Sequence, residues 1–102
     1  MYFFVKTNNP RPTFQLDMTL EERETMNRHV AYWTKEAKAG KALVFGPVGD
    51  PKGVYGILIY EAATEAEIQD KVQHDPARGL LQYEILPMIR AVIKESWPIS
   101  GT

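Results

Sequence analysis

Imidazole is the side chain whose charge changes near neutral pH, which suits it to moving protons. This sequence holds two, His29 and His74. His74 sits in the stretch QHDPARG, 73–79, directly ahead of an Asp-Pro. Neighbouring side chains at a helix end point apart, so His74 reads as solvated and Asp75 is free to serve another group. If the Asp75 carboxylate reaches His29, it fixes the imidazole tautomer and favours the protonated form. That pair is a general acid and base without a nucleophile, because no motif places a Ser or Thr for attack and cysteine is absent. Plainer readings stand beside it. A helix histidine can simply bond a backbone carbonyl, and an aspartate before proline often ends a helix by accepting nearby N–H groups. Whether His29 and Asp75 meet depends on the stagger of two helices.

Other chemistries have weaker support. A metal held by His29, His74 and Asp75 lacks the i,i+4 histidine pair or any other ligand spacing. The segment GPVGDPKG, 46–53, is rich in glycine and proline but joins two strands, whereas a phosphate-binding loop joins a strand to a helix. Arg11 and Arg78 read as surface residues, with anion binding as the alternative. Trp33, Phe45, Tyr55 and Tyr60 read as core, with the floor of an aromatic pocket as the alternative. Twelve basic residues against thirteen acidic ones leave a net charge of −1, which disfavours nucleic acid as a partner. The opening MYFFVKTNN has no basic segment ahead of its short apolar run and does not read as a signal peptide. Nothing approaches the roughly 20 apolar residues of a membrane span. A cytoplasmic protein that binds no membrane is the expectation.

The elements that must position these groups follow from pattern. One domain spans 1–102, a length sufficient for a single core. YFFVK, 2–6, reads as a first strand, and the proline-containing 7–18 as a long loop of the kind that rims sites. Thr19 with Glu22 forms a capping box, opening a helix that ends near Gly40 with Lys35 and Lys38 in its last turns. The apolar stripe expected on it is Met26, Val30, Trp33 and Ala37, with His29 at the stripe's edge. Strands follow at 42–48 and 54–62. T-E-A-E, 64–67, opens a second helix running to about His74, where Pro76 turns Asp75 out of helical geometry. A last strand is expected over 83–93, with Pro87 marking an edge or a bulge, and 94–102 as a tail.

The order β-α-β-β-α-β is the ferredoxin-like plan: α+β, a four-stranded antiparallel sheet with two helices on one face. An antiparallel strand with one wet face alternates apolar and polar residues. Here Tyr55, Ile57 and Ile59 oppose Gly56, Leu58 and Tyr60, while Phe3 and Val5 oppose Tyr2 and Phe4. Two helices cover one face only, so the second apolar face calls for another cover, most simply a second copy of the sheet.

The segment HVAYWTKEAKAGKALVFGP, 29–47, resembles the first-helix and second-strand pattern of the YCII-related family: a helix histidine, a glycine about eleven residues on, and a strand ending in Gly-Pro. DPARGLL, 75–81, resembles that family's Asp-Pro segment after the second helix. The similarity runs from Tyr2 to about Val92. It implies a dimeric ferredoxin-like α+β barrel with a catalytic histidine-aspartate pair, by position His29 and Asp75. The 7–18 loop with Pro10 and Pro12, and the Trp-Pro tail, depart from the pattern.

The leading expectation is a small dimeric acid/base enzyme, of isomerase or lyase type, acting on a small cyclic or aromatic molecule with no cofactor. The alternatives are a non-catalytic binding or accessory module using the same pocket, and a cofactor-free or haem-using monooxygenase.

Overall fold

The computed structural model describes residues 1–94. Two threonines set where the long helices start. The Thr19 hydroxyl accepts the Glu22 N–H at 3.0 Å, and the Glu22 carboxylate accepts the Thr19 N–H at 2.9 Å. This capping box opens the helix Leu20–Lys38. The Thr64 hydroxyl accepts the Glu67 N–H to open a second helix, Glu65–Gln73. A single turn, Phe14–Asp17, precedes both. In chain order the elements are β1 (Tyr2–Asn8), α1 (Phe14–Asp17), α2 (Leu20–Lys38), β2 (Ala42–Val48), β3 (Tyr55–Glu61), α3 (Glu65–Gln73) and β4 (Gln82–Pro87). Gly40 leaves α2 with φ of +82°, a left-handed conformation that glycine adopts without a Cβ penalty.

The strands form one antiparallel sheet in the order β2-β3-β1-β4. That is the ferredoxin-like α+β arrangement expected from the order of elements. One face carries Phe3, Val5, Leu58 and Tyr60, all buried in one cluster with Trp33 of α2 and Ile68 and Val72 of α3. Trp33 stands edge-on to Tyr60, with ring centroids 5.9 Å apart. On the opposite face Val44, Ile59, Phe4 and Leu86 align in one row across all four strands. Val44 and Leu86 are 53% and 55% exposed there, so this row is apolar and uncovered in the single chain.

Several expectations are corrected. β1 runs on to Asn8, and the expected 7–18 loop contains α1, whose Phe14 is buried. β4 stops at Pro87 rather than at 93: proline has no N–H for the ladder, and the Met88 N–H makes a last bond to the Tyr2 carbonyl. The expected tail beyond Lys94 lies outside the described residues. The stripe on α2 is rotated. Val30 is 48% exposed and Ala37 is exposed, while His29 and Trp33 are the buried residues of the helix. The reason is that α2 buries polar groups that are satisfied by distant segments.

Two polar clamps hold the layers in place. Glu36 of α2 accepts from the Tyr60 hydroxyl at 2.8 Å and from Lys71 of α3 at 3.2 Å, and Tyr32 donates to the Lys71 carbonyl at 2.7 Å. These bonds fix α3 against α2, and with it the chain leaving α3. Arg11 grips both Glu22 oxygens at 2.8 and 2.9 Å and reaches Asp17 with Nε at 2.9 Å. The bond from Arg11 holds the Glu22 carboxyl down at about 2. Arg11 is therefore committed to fastening the segment around α1 to the start of α2. Among the described residues, no helix is long and apolar enough to cross a membrane.

Candidate active site

Asp75 leaves α3 just after its capping residue, His74, and Pro76 directs the chain away. Its Oδ1 accepts the N–H of Ala77 at 2.9 Å, the local bond of an aspartate turn. The rest of the carboxylate points inward, and at 3% exposure it needs partners. Three distant side chains supply them. His29 Nδ1 lies 2.8 Å from Oδ2 and 2.9 Å from Oδ1. The Trp33 indole N–H donates to Oδ2 at 2.7 Å, and the Tyr83 hydroxyl donates to it at 2.6 Å. His29 and Trp33 lie one helical turn apart on α2, which aims both at the same carboxylate.

Burial pushes the Asp75 carboxyl up, but the bonds from His29, Tyr83 and the Ala77 N–H outweigh it and hold the group below the ordinary carboxylate range. Asp75 is thus an anion in the folded protein. The Tyr83 phenol is driven well up, by burial first and then by its bond to Asp75, and stays a donor.

An ionised Asp75 that only accepts requires the proton of the neutral His29 ring on Nδ1. Nε2 is then left with its lone pair. His29 lines a cavity of about 480 Å³ between α2 and the sheet, and Nε2 has no protein partner among the described residues. The cavity walls are mostly apolar and include Phe14, Met18, Met26, Val30 and Phe45. The Phe45 ring lies 5.6 Å from the imidazole. A group that can take up a proton and return it therefore faces a mostly apolar pocket large enough for a small organic molecule.

The expected pair, His29 and Asp75, is brought together by the clamp that fixes α3 against α2. His74 is exposed and bonds back to the Asp70 carbonyl at 2.8 Å, away from the pair. Among the described residues no group of three or more histidine, aspartate or glutamate side chains converges on a metal position. Trp33, Phe45 and Tyr55 line the cavity, while Tyr60 belongs to the core. Arg78 lies over the Tyr83 ring at 5.6 Å. Sequence reasoning missed Tyr83 and the polar role of Trp33. Both reach Asp75 across strand or helix pairings, and neither carries a local motif. Phe14 and Met18, apolar residues inside a polar stretch, were the available signal that the segment before α2 lines the cavity.

Comparison with known proteins adds four findings. The family model described as the YCII-related domain matches residues 2–90. No curated protein matches the sequence significantly. Among solved structures, the chain is similar to 5-chloro-2-hydroxyhydroquinone dehydrochlorinase (TftG) from Burkholderia phenoliruptrix AC1100, in complex with 2,5-dihydroxybenzoquinone. The TM-score is 0.66 at 21% identity, covering 89% of this chain and 96% of that one. A looser likeness, with TM-score 0.40 and 13% identity over 90% of this chain and 97% of the other, is to a putative antibiotic biosynthesis monooxygenase from Chloroflexus aurantiacus J-10-fl.

Proposed function

We propose, because this chain belongs to the YCII-related family, that it is a small acid/base enzyme of isomerase or lyase type acting on a hydroxylated monocyclic ring. The observation that carries this reading is the His29 imidazole, held through Nδ1 by a buried, ionised Asp75, with Nε2 on an apolar cavity. His29 removes a proton from the substrate, and the electron pair released either expels a leaving group such as halide or returns to another carbon of the ring. In the second case the imidazolium gives the proton back, so the reaction is an isomerisation. Asp75 does not take the proton. It orients the ring and stabilises the imidazolium that forms. In the first case halide leaves and the imidazolium releases the proton to solvent, so both steps balance.

The likeness to a dehydrochlorinase holding a dihydroxybenzoquinone supports a ring as substrate. A roughly 150 Å³ cavity already accommodates benzene, and this one is larger. The test is incubation with chlorinated and unchlorinated hydroxyhydroquinones, following halide release and the ring protons by NMR. Turnover of at least one compound is expected. Binding without turnover would replace the enzyme by a ligand-binding module with the same pocket.

The chain works as a homodimer through the open face of the sheet. The apolar row Val44, Ile59, Phe4 and Leu86 runs across that face and needs cover. Light scattering should give the mass of two chains at micromolar concentration, and Val44→Lys combined with Leu86→Lys should give one. A wild-type mass of one chain would contradict the dimer.

A further inference from the structure

We propose that Thr7 is a specificity-determining residue of this site, and that its hydroxyl binds an oxygen substituent of the ring distant from the one His29 addresses. The inference rests on the aromatic-pocket reading above and names a contact within it. Thr7 is the one buried polar residue besides His29 and Asp75 among those described, at 9% exposure. Its hydroxyl has no hydrogen-bond partner within the described protein, yet it is not sealed in, because no buried side-chain oxygen or nitrogen is left unsatisfied. The oxygen therefore meets the cavity that Thr7 lines. A hydroxyl on a mostly apolar wall, with no partner in the protein, has its bonding capacity available to a ligand that supplies one.

The register shows how the sheet makes room for it. Pro47, Gly56, Thr7 and Tyr83 form one row across the four strands, and all of them line the cavity. A Cβ at Gly56 would collide with the Thr7 hydroxyl oxygen. Glycine there leaves space for that oxygen on the cavity floor. On the other side, Tyr83 is Thr7's direct cross-strand partner, and its hydroxyl holds Asp75. The same row of the sheet thus carries the residue that braces the acid/base pair and a free hydroxyl beside it. A ring lying between α2 and the sheet meets His29 from the helix and Thr7 from the floor. The ligand class that uses both carries at least two oxygen substituents, as a dihydroxybenzene or hydroxyquinone does.

The test compares hydroquinone, kept anaerobic, with benzene, using amide shifts in heteronuclear NMR spectra of wild type, Thr7→Val and Thr7→Ser. Valine suits a strand, so the fold is retained. Thr7→Val should weaken hydroquinone binding by about 3–10-fold, with benzene binding and Thr7→Ser unchanged within about twofold. Equal hydroquinone affinity in wild type and Thr7→Val, with benzene still bound, would overturn the Thr7 contact alone. Failure of wild type to bind either probe would overturn the aromatic pocket, and the Thr7 contact with it.

Discussion

His29→Asn is expected to lower turnover of the proposed ring substrate by about 10²–10⁴-fold, the usual contribution of a positioned general base. Asparagine is the informative replacement. Its carboxamide nitrogen can occupy nearly the place of Nδ1 and still donate to Asp75, while the position of Nε2 is vacated. The buried carboxylate keeps a donor, and the cavity keeps its apolar walls. Substrate affinity should therefore change little, and the loss should fall on kcat rather than on KM. Parallel kcat and pH–rate measurements on the two proteins check this. A loss of less than about threefold would mean that His29 moves no proton in the limiting step.

Asp75→Asn has the largest expected effect on stability. Oδ2 accepts from His29, Trp33 and Tyr83, and Oδ1 accepts from the Ala77 N–H. Asparagine turns one of these oxygens into an NH2 group. Placed at Oδ1 it faces the Ala77 N–H; placed at Oδ2 it faces the Trp33 N–H. Either way a buried donor meets a donor and the imidazole loses its anion. Breaking a buried charge-bonded set from one side costs about 3 kcal/mol or more. For a domain of this size that is a fall in melting temperature of roughly 12–24 °C.

The effect has a definite pH dependence. The folded-state pKa of Asp75 lies below its unfolded value, because the bonds from His29, Tyr83 and Ala77 outweigh its burial. Its contribution is fully present above the unfolded carboxylate value of about 3.9 and is lost as the pH falls through the lower folded value. Thermal melts of the two proteins should thus differ most near neutrality and converge on acidification. A gap that stayed constant down to strongly acid pH would contradict an ionised Asp75.

The parts of the fold that were legible in the sequence are those set by neighbours along the chain. Thr19 with Glu22, and Thr64 with Glu67, are bonds spanning three residues, and they start both long helices where the pattern places them. β2 was equally plain, because a continuous apolar run lies between two glycine-marked turns. The end of β4 was not. The apolar run continues to Ile93, but Pro87 ends the hydrogen-bonded ladder, and hydrophobicity does not register a missing N–H. The buried face of α2 differs from the expected stripe for a related reason. Hydrophobic periodicity cannot know that Asp75 and Lys71 come up from α3 and its exit to satisfy His29 and Glu36. The same holds within the site. Asp75 stands out through the turn chemistry before Pro76, whereas Tyr83 reaches it only because the segment 77–81 folds back and sets β4 beside β1.

The acid/base role of His29 turns on which of its ring nitrogens carries the proton. Long-range proton–nitrogen correlation NMR of the neutral ring, at alkaline pH, distinguishes the two tautomers. With two histidines in the chain, one His29→Gln sample assigns the signals. The proton is expected on Nδ1, held by Asp75, with Nε2 unprotonated and shifted when a ring compound enters the cavity. A proton on Nε2, or an Nε2 signal indifferent to every ring compound that binds, would contradict that role.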